Sequence, residues 1–115
     1  MIELDTSKEH FNRLSPAETE RLALLLEELG EVQQVIGKIL RYGYNSVHPN
    51  GGPNNRDLLA IELGDVKAAL VLMEYSEDLC SNLIHESMYS KLHKINKYLH
   101  HNLYSCPCAR KSSLL

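Results

Sequence analysis

Tryptophan is missing from this 115-residue chain and phenylalanine occurs once. A core must therefore be built from leucine, isoleucine and valine rather than from large rings. Cysteine is scarce and odd in number, and two of the three fall among the last ten residues. That excludes a disulfide framework and fits a reducing cytosol. No apolar run approaches the roughly 20 residues that span a bilayer. The opening Met1-Ile2-Glu3-Leu4-Asp5 has neither the basic nor the apolar region of a secretory signal. Positive charge is not in excess either: 12 Lys and Arg stand against 15 Asp and Glu, for a net charge of −3 and a pI of about 6.0. This excludes a general nucleic-acid binder, but not a binder of small phosphate-bearing molecules that meet local positive charge or a metal. Glu-x-x-His is absent, which disfavours a ferritin-like di-iron site. The expectation is a cytoplasmic protein with no nucleic-acid and no membrane partner. Its length suits one domain.

What is present is two acidic pairs inside long apolar segments of helical period. The first lies in Glu27-Glu28-Leu29-Gly30-Glu31 and the second in Glu62-Leu63-Gly64-Asp65. On a helical wheel with Glu28 at zero and about 100° per residue, Glu31 falls at about −60°. Leu25, Leu29, Val32, Ile36 and Ile39 occupy the arc from about +20° to +100°. With Glu62 at zero, Asp65 again lies at about −60°, and Leu59, Leu63, Val66, Leu70 and Met73 fill the same arc. Each helix thus carries two carboxylates at the margin of its apolar stripe. Antiparallel packing along those stripes brings four carboxylates together.

Such a cluster is costly alone. Two carboxylates about 5 Å apart repel by roughly 3 kcal/mol at an effective dielectric near 20. Protons or a divalent ion would relieve this. Hard oxygen donors without cysteine or histidine favour Mg²⁺ or Mn²⁺ over zinc. The plainer alternative is solvated acids on two amphipathic helices.

The rest of the chain follows from local signals. Residues 1–14 suit a short turn or helix, with Leu4, Phe11 and Leu14 available to pack. Ser15-Pro16-Ala17-Glu18 combines a cap, a first-turn proline and a capping-box acid, so a helix should run from there to about Leu40 or Arg41. Gly30 and Gly37 cost up to about 1 kcal/mol each inside it, which suggests close approach by a partner helix or a ligand. Residues 42–54 carry three glycines, Gly43, Gly51 and Gly52, and two prolines and form a long loop, suited to covering a substrate. Asn54 or Asn55 caps a second helix from Arg56 to about Tyr75. Ser76 then reads as the cap of a third helix reaching about His101, with Leu79, Leu83, Ile84, Met88, Leu92, Ile95 and Leu99 as its stripe. Lys91, Lys94 and Lys97 lie on one side of it, either solvated or facing a phosphate. Domain limits of 1–104 are expected, with 105–115 as a flexible tail. His100, His101, Cys106 and Cys108 are potential zinc ligands, but Cys-x-Cys is tighter than finger spacing and a frayed tail is the better reading.

The order Glu-Glu-x-x-Glu, loop, Glu-x-x-Asp resembles the MazG-like all-α nucleoside triphosphate pyrophosphohydrolases. The resemblance is carried by residues 15–73, through Ser15-Pro16-Ala17-Glu18, Gly37-Lys38-Ile39-Leu40-Arg41-Tyr42-Gly43-Tyr44 and Glu62-Leu63-Gly64-Asp65-Val66, and again by 94–101. It is closest in look to small phage- and bacteria-encoded members. It implies an all-α helical bundle completed by assembly into a homodimer or homotetramer, in a bacterial or phage-infected host cytoplasm. It also implies Mg²⁺-dependent hydrolysis of a (deoxy)nucleoside triphosphate to the monophosphate and pyrophosphate, with a role in nucleotide-pool control.

The resemblance assigns metal binding and catalysis to Glu28, Glu31, Glu62 and Asp65. Glu27 matches the first acid of the motif, yet the wheel turns it about 100° from Glu28 and away from the site. Lys38, Arg41, Lys94 and Lys97 are candidates for substrate phosphates, and Tyr42 or Tyr44 for stacking on a base. Two other readings stay open: a phosphoribosyl-ATP pyrophosphohydrolase, and a noncatalytic helical oligomerisation or regulatory module.

Overall fold

The computed structural model describes residues 11–105, and over that span the protein is all-α, with one isolated antiparallel bridge between Val47 and Asn54. Helix α1 is Pro16–Tyr42, α2 is Asn55–Tyr75 and α3 is Ser81–Lys94, followed by a 3₁₀ turn at Ile95–Lys97. The chain forms two compact units, one ending at Leu79 and the other beginning at Cys80. No helix among the described residues is long and apolar enough to cross a membrane. Leu4, Cys106 and Cys108 lie outside the described residues, as does the tail beyond residue 105.

Helix α1 starts on the expected capping box. The Ser15 hydroxyl accepts from the Glu18 N–H at 3.0 Å, and the Glu18 carboxylate accepts from the Ser15 N–H at 2.8 Å, satisfying two otherwise orphaned donors. It ends at Gly43, whose φ of +91° lets its N–H turn back to the Ile39 carbonyl at 2.7 Å. Helix α2 is capped by Asn54, whose side chain accepts from the Asp57 N–H at 2.9 Å. The two helices are antiparallel. Asn55, opening α2, bonds the Gly43 carbonyl beyond the end of α1, and Asp78, just past α2, receives two hydrogen bonds from Arg21 near the start of α1.

Their contact line differs from the expected stripe. The buried apolar side chains are Val32, Val35, Ala69 and Met73, at about +40°, −20°, −20° and +20° on the wheel. The line therefore runs about 50° away from the centre of the leucine-rich arc and passes close to Glu28 and Glu62. Small Val35 and Ala69 let the two backbones approach along this line, which a row of leucines would hold apart. Leu29, Ile36 and Leu63, expected in the core, are left 42%, 42% and 44% exposed. In an antiparallel pair equal wheel angles turn to the same side. The acids share one side of the hairpin, and Leu22, Leu29, Ile36, Leu40 and Leu63 form an exposed apolar face on the other. Phe11, expected to pack, is 90% exposed. A Cβ at Gly30 would meet nothing within 4 Å, and one at Gly37 meets only the Arg41 guanidinium at 3.7 Å, so no helix of this chain makes either close approach.

The third helix is shorter than expected at both ends. Ser76 closes α2 instead of opening α3, its N–H donating to Leu72 at 3.0 Å. Glu77 then adopts a left-handed φ of 62°, and the Asp78 carboxylate is held by Arg21. With its acids committed to a turn and an ion pair, this segment cannot serve as a first helical turn, and α3 begins after Cys80 without a side-chain cap. At the far end Asn96 brackets Tyr104, donating to its carbonyl at 2.9 Å and accepting from its N–H at 2.8 Å. That folds the chain back where the helix was expected to continue. Along α3 the expected stripe is mostly exposed, and only Leu92 and Ile95 are half-buried.

Candidate metal centre

One carboxylate oxygen from each of Glu28, Glu31, Glu62 and Asp65 lies within 4.8 Å of all the others. The first three residues are half-buried and Asp65 is exposed. Convergence follows from the rotated contact line, which brings Glu28 and Glu62 to the edge of the interface with Glu31 and Asp65 beside them. Glu27 is exposed and stands outside the group, as its wheel position requires. The pentapeptides Glu28-Leu29-Gly30-Glu31-Val32 and Glu62-Leu63-Gly64-Asp65-Val66 agree at four of five positions. This short repeat is the sequence signal for the pseudo-twofold character of the site.

The electrostatics are those of an overfilled anionic site. Glu28 has a raised pKa, first because burial disfavours its charged form and then because of the charges of Glu31 and Asp65. Glu62 is also raised, first by a hydrogen bond with Glu31, then by burial and by the Glu31 and Asp65 charges. Burial and mutual repulsion thus act together against the charged forms of Glu28 and Glu62. One oxygen each of Glu28 and Glu62 is buried without any hydrogen-bond partner. Orphaned buried oxygens are costly, and a hard divalent cation is the kind of group that satisfies several at once. The donor set, oxygen alone, is of the chemical kind that Mg²⁺ or Mn²⁺ takes.

Beside the cluster lies a pocket of about 510 Å³ enclosed by the end of α1, the 43–54 loop and the start of α2. Lys38, Arg41 and Tyr42 line it, together with His48, Asn55 and Leu58. The loop is ordered by the Val47–Asn54 bridge and by backbone bonds from Asn55 to Ser46 at 2.9 Å and from Arg56 to Tyr44 at 2.8 Å. Tyr44 is not among the pocket-lining residues, and its ring carries the Arg56 guanidinium at 4.3 Å. Lys94 ends α3 and Lys97 ends the 3₁₀ turn, both exposed in the second unit, while Lys91 sits over the Tyr98 ring at 4.7 Å. Sequence reasoning missed Asn55 as a pocket residue, treating it only as an alternative cap. Two adjacent asparagines before a helix are the available signal, since only one can cap it. No protein-family model matches the chain, and no curated protein or solved structure matches it.

Proposed function

We propose that the protein is a MazG-like nucleoside triphosphate pyrophosphohydrolase that holds Mg²⁺, or Mn²⁺ in its place, on Glu28, Glu31, Glu62 and Asp65. The observation that carries this reading is the four-carboxylate cluster with its two unpartnered buried oxygens. The cationic pocket beside it supports the assignment. When bound, the ion neutralises phosphate oxygens and makes the phosphorus more electrophilic. Lys38 and Arg41 hold phosphate oxygens from the pocket side, and Tyr42 offers a ring at its rim. A water oxygen attacks the α-phosphorus, the bond from that phosphorus to the bridging oxygen breaks, and pyrophosphate leaves. The water's proton passes to a cluster carboxylate. The products are the nucleoside monophosphate and pyrophosphate.

The same reading takes the protein as a homodimer or homotetramer acting in nucleotide-pool control in the cytoplasm. The exposed apolar face opposite the acids supports assembly, because a contiguous leucine surface is costly in water. The testing experiment is pyrophosphate release from a panel of ribo- and deoxynucleoside triphosphates and phosphoribosyl-ATP with Mg²⁺. Release from a nucleoside triphosphate, abolished in Glu31→Gln, is expected. Release from phosphoribosyl-ATP alone would move the assignment to that enzyme. No release from any substrate would leave a noncatalytic helical module.

A further inference from the structure

The carboxylates and the pocket lie on the same side of the α1–α2 hairpin. Along α1, Glu28, Glu31 and Lys38 lie at about 0°, −60° and −80°, so Lys38 is on the Glu31 side and two turns, about 10 Å, further on. Along α2, running the other way, Asp65, Glu62, Leu58 and Asn55 follow in the same spatial order at about −60°, 0°, −40° and +20°. The carboxylates mark one end, and the pocket lined by Lys38, Leu58 and Asn55 marks the other.

The two ends differ in chemistry. Val47, Pro49, Pro53 and Leu58 give the pocket apolar walls, and no carboxylate is among its lining residues. These walls suit a flat ring, while Lys38 and Arg41, cations of the same lining, suit the anionic chain that leads toward the acids. Asn55 is 7% exposed and is the buried polar residue among those described. Asn54 already caps α2, so the Asn55 side chain has no capping duty. Its Nδ2 donates to the Gly43 carbonyl at 3.1 Å. A carbonyl oxygen can only accept, so this bond fixes the amide and leaves Oδ1 as an acceptor that cannot flip without losing it.

We infer that this pocket takes the nucleoside end of the substrate and that Asn55 reads the base through a ring or exocyclic N–H. The inference rests on the nucleotide reading above and adds its orientation and its specificity-determining residue. Nucleobases differ in where their N–H donors stand. A fixed acceptor therefore ranks them, because a mispositioned base leaves the amide oxygen unpaired.

Three measurements on the full chain test this. In metal-free buffer, a titration with nucleoside monophosphates followed by NMR should shift the Asn55 side-chain amide. With Mg²⁺, an analogue of the best base methylated at its edge N–H should show a KM about tenfold or more above that of the parent, the scale of one lost buried hydrogen bond. In Asn55→Leu that discrimination should vanish and the spread of KM among bases should narrow. The wild-type analogue comparison stands even if the variant fails to fold. Monophosphate binding without pyrophosphate release from any nucleotide would sink the proposed reaction and leave the base pocket standing. Release with the parent and methylated nucleotides used equally well would overturn the role of Asn55. So would an equal loss on all bases in Asn55→Leu, which marks a loop latch only.

Discussion

Replacing Gly30 and Gly64 by alanine measures whether anything outside the chain packs against the backs of α1 and α2. Both glycines are helical, and both sit about 160° around the wheel from the glutamate two residues before them. An added Cβ at either would meet nothing within 4 Å. Without steric cost, only helix propensity acts, and alanine is favoured over glycine by about 0.8–1.0 kcal/mol in a helix interior. The sites are on different helices and share no partner, so the effects should add to about 2 kcal/mol in the double variant. At about 4–8 °C per kcal/mol for a domain of this size, its melting temperature should rise by roughly 8–15 °C. Far-UV circular dichroism melts of the metal-free protein at several concentrations provide the assay. A lower melting temperature in either single variant would refute the reasoning. It would mean that a second subunit or a bound ligand occupies the space at that glycine, and a dependence on protein concentration would identify the subunit.

The carboxylates should show their frustration in pH dependence. Glu62 is raised above 4.5 in the folded protein, so its favourable contribution is complete below that ordinary value and is lost as pH rises through the folded value. Glu62→Gln should therefore melt above the wild type at pH 7 without metal, and this gain should shrink toward pH 4.5; a pH-independent difference would contradict it. Glu31→Gln and Asp65→Asn should each reduce pyrophosphate release by orders of magnitude at saturating Mg²⁺, whereas Glu27→Gln should be much milder because Glu27 stands outside the cluster. Equal activity in all of them would remove the acids from the active site. Light scattering should give a multiple of 13.1 kDa, and Leu29→Lys with Ile36→Lys should lower it by charging the apolar face. A wild-type mass of 13.1 kDa with a cooperative melt would end the assembly proposal.

The sequence by itself determined the features that depend on a few neighbouring residues. Ser15-Pro16-Ala17-Glu18 starts α1 because all the partners of its capping box lie within one turn. Gly43 ends that helix because glycine tolerates a φ of +91° without strain. The wheel alone paired Glu28 with Glu31 and Glu62 with Asp65, and it put Glu27 elsewhere. Tertiary structure decided how the helices turn toward each other. Leucine is the commonest residue on the expected stripe, but the contact line is centred between Val35 and Ala69 on one side and Val32 and Met73 on the other, because helix contact depends on the shapes of both helices together. It also decided which asparagine caps and which is buried, since Asn55 needs the Gly43 carbonyl, 12 residues away, to hold its amide. The late start of α3 has the same origin. Asp78 is claimed by Arg21, 57 residues distant, and no local signal around Ser76 contains that partner.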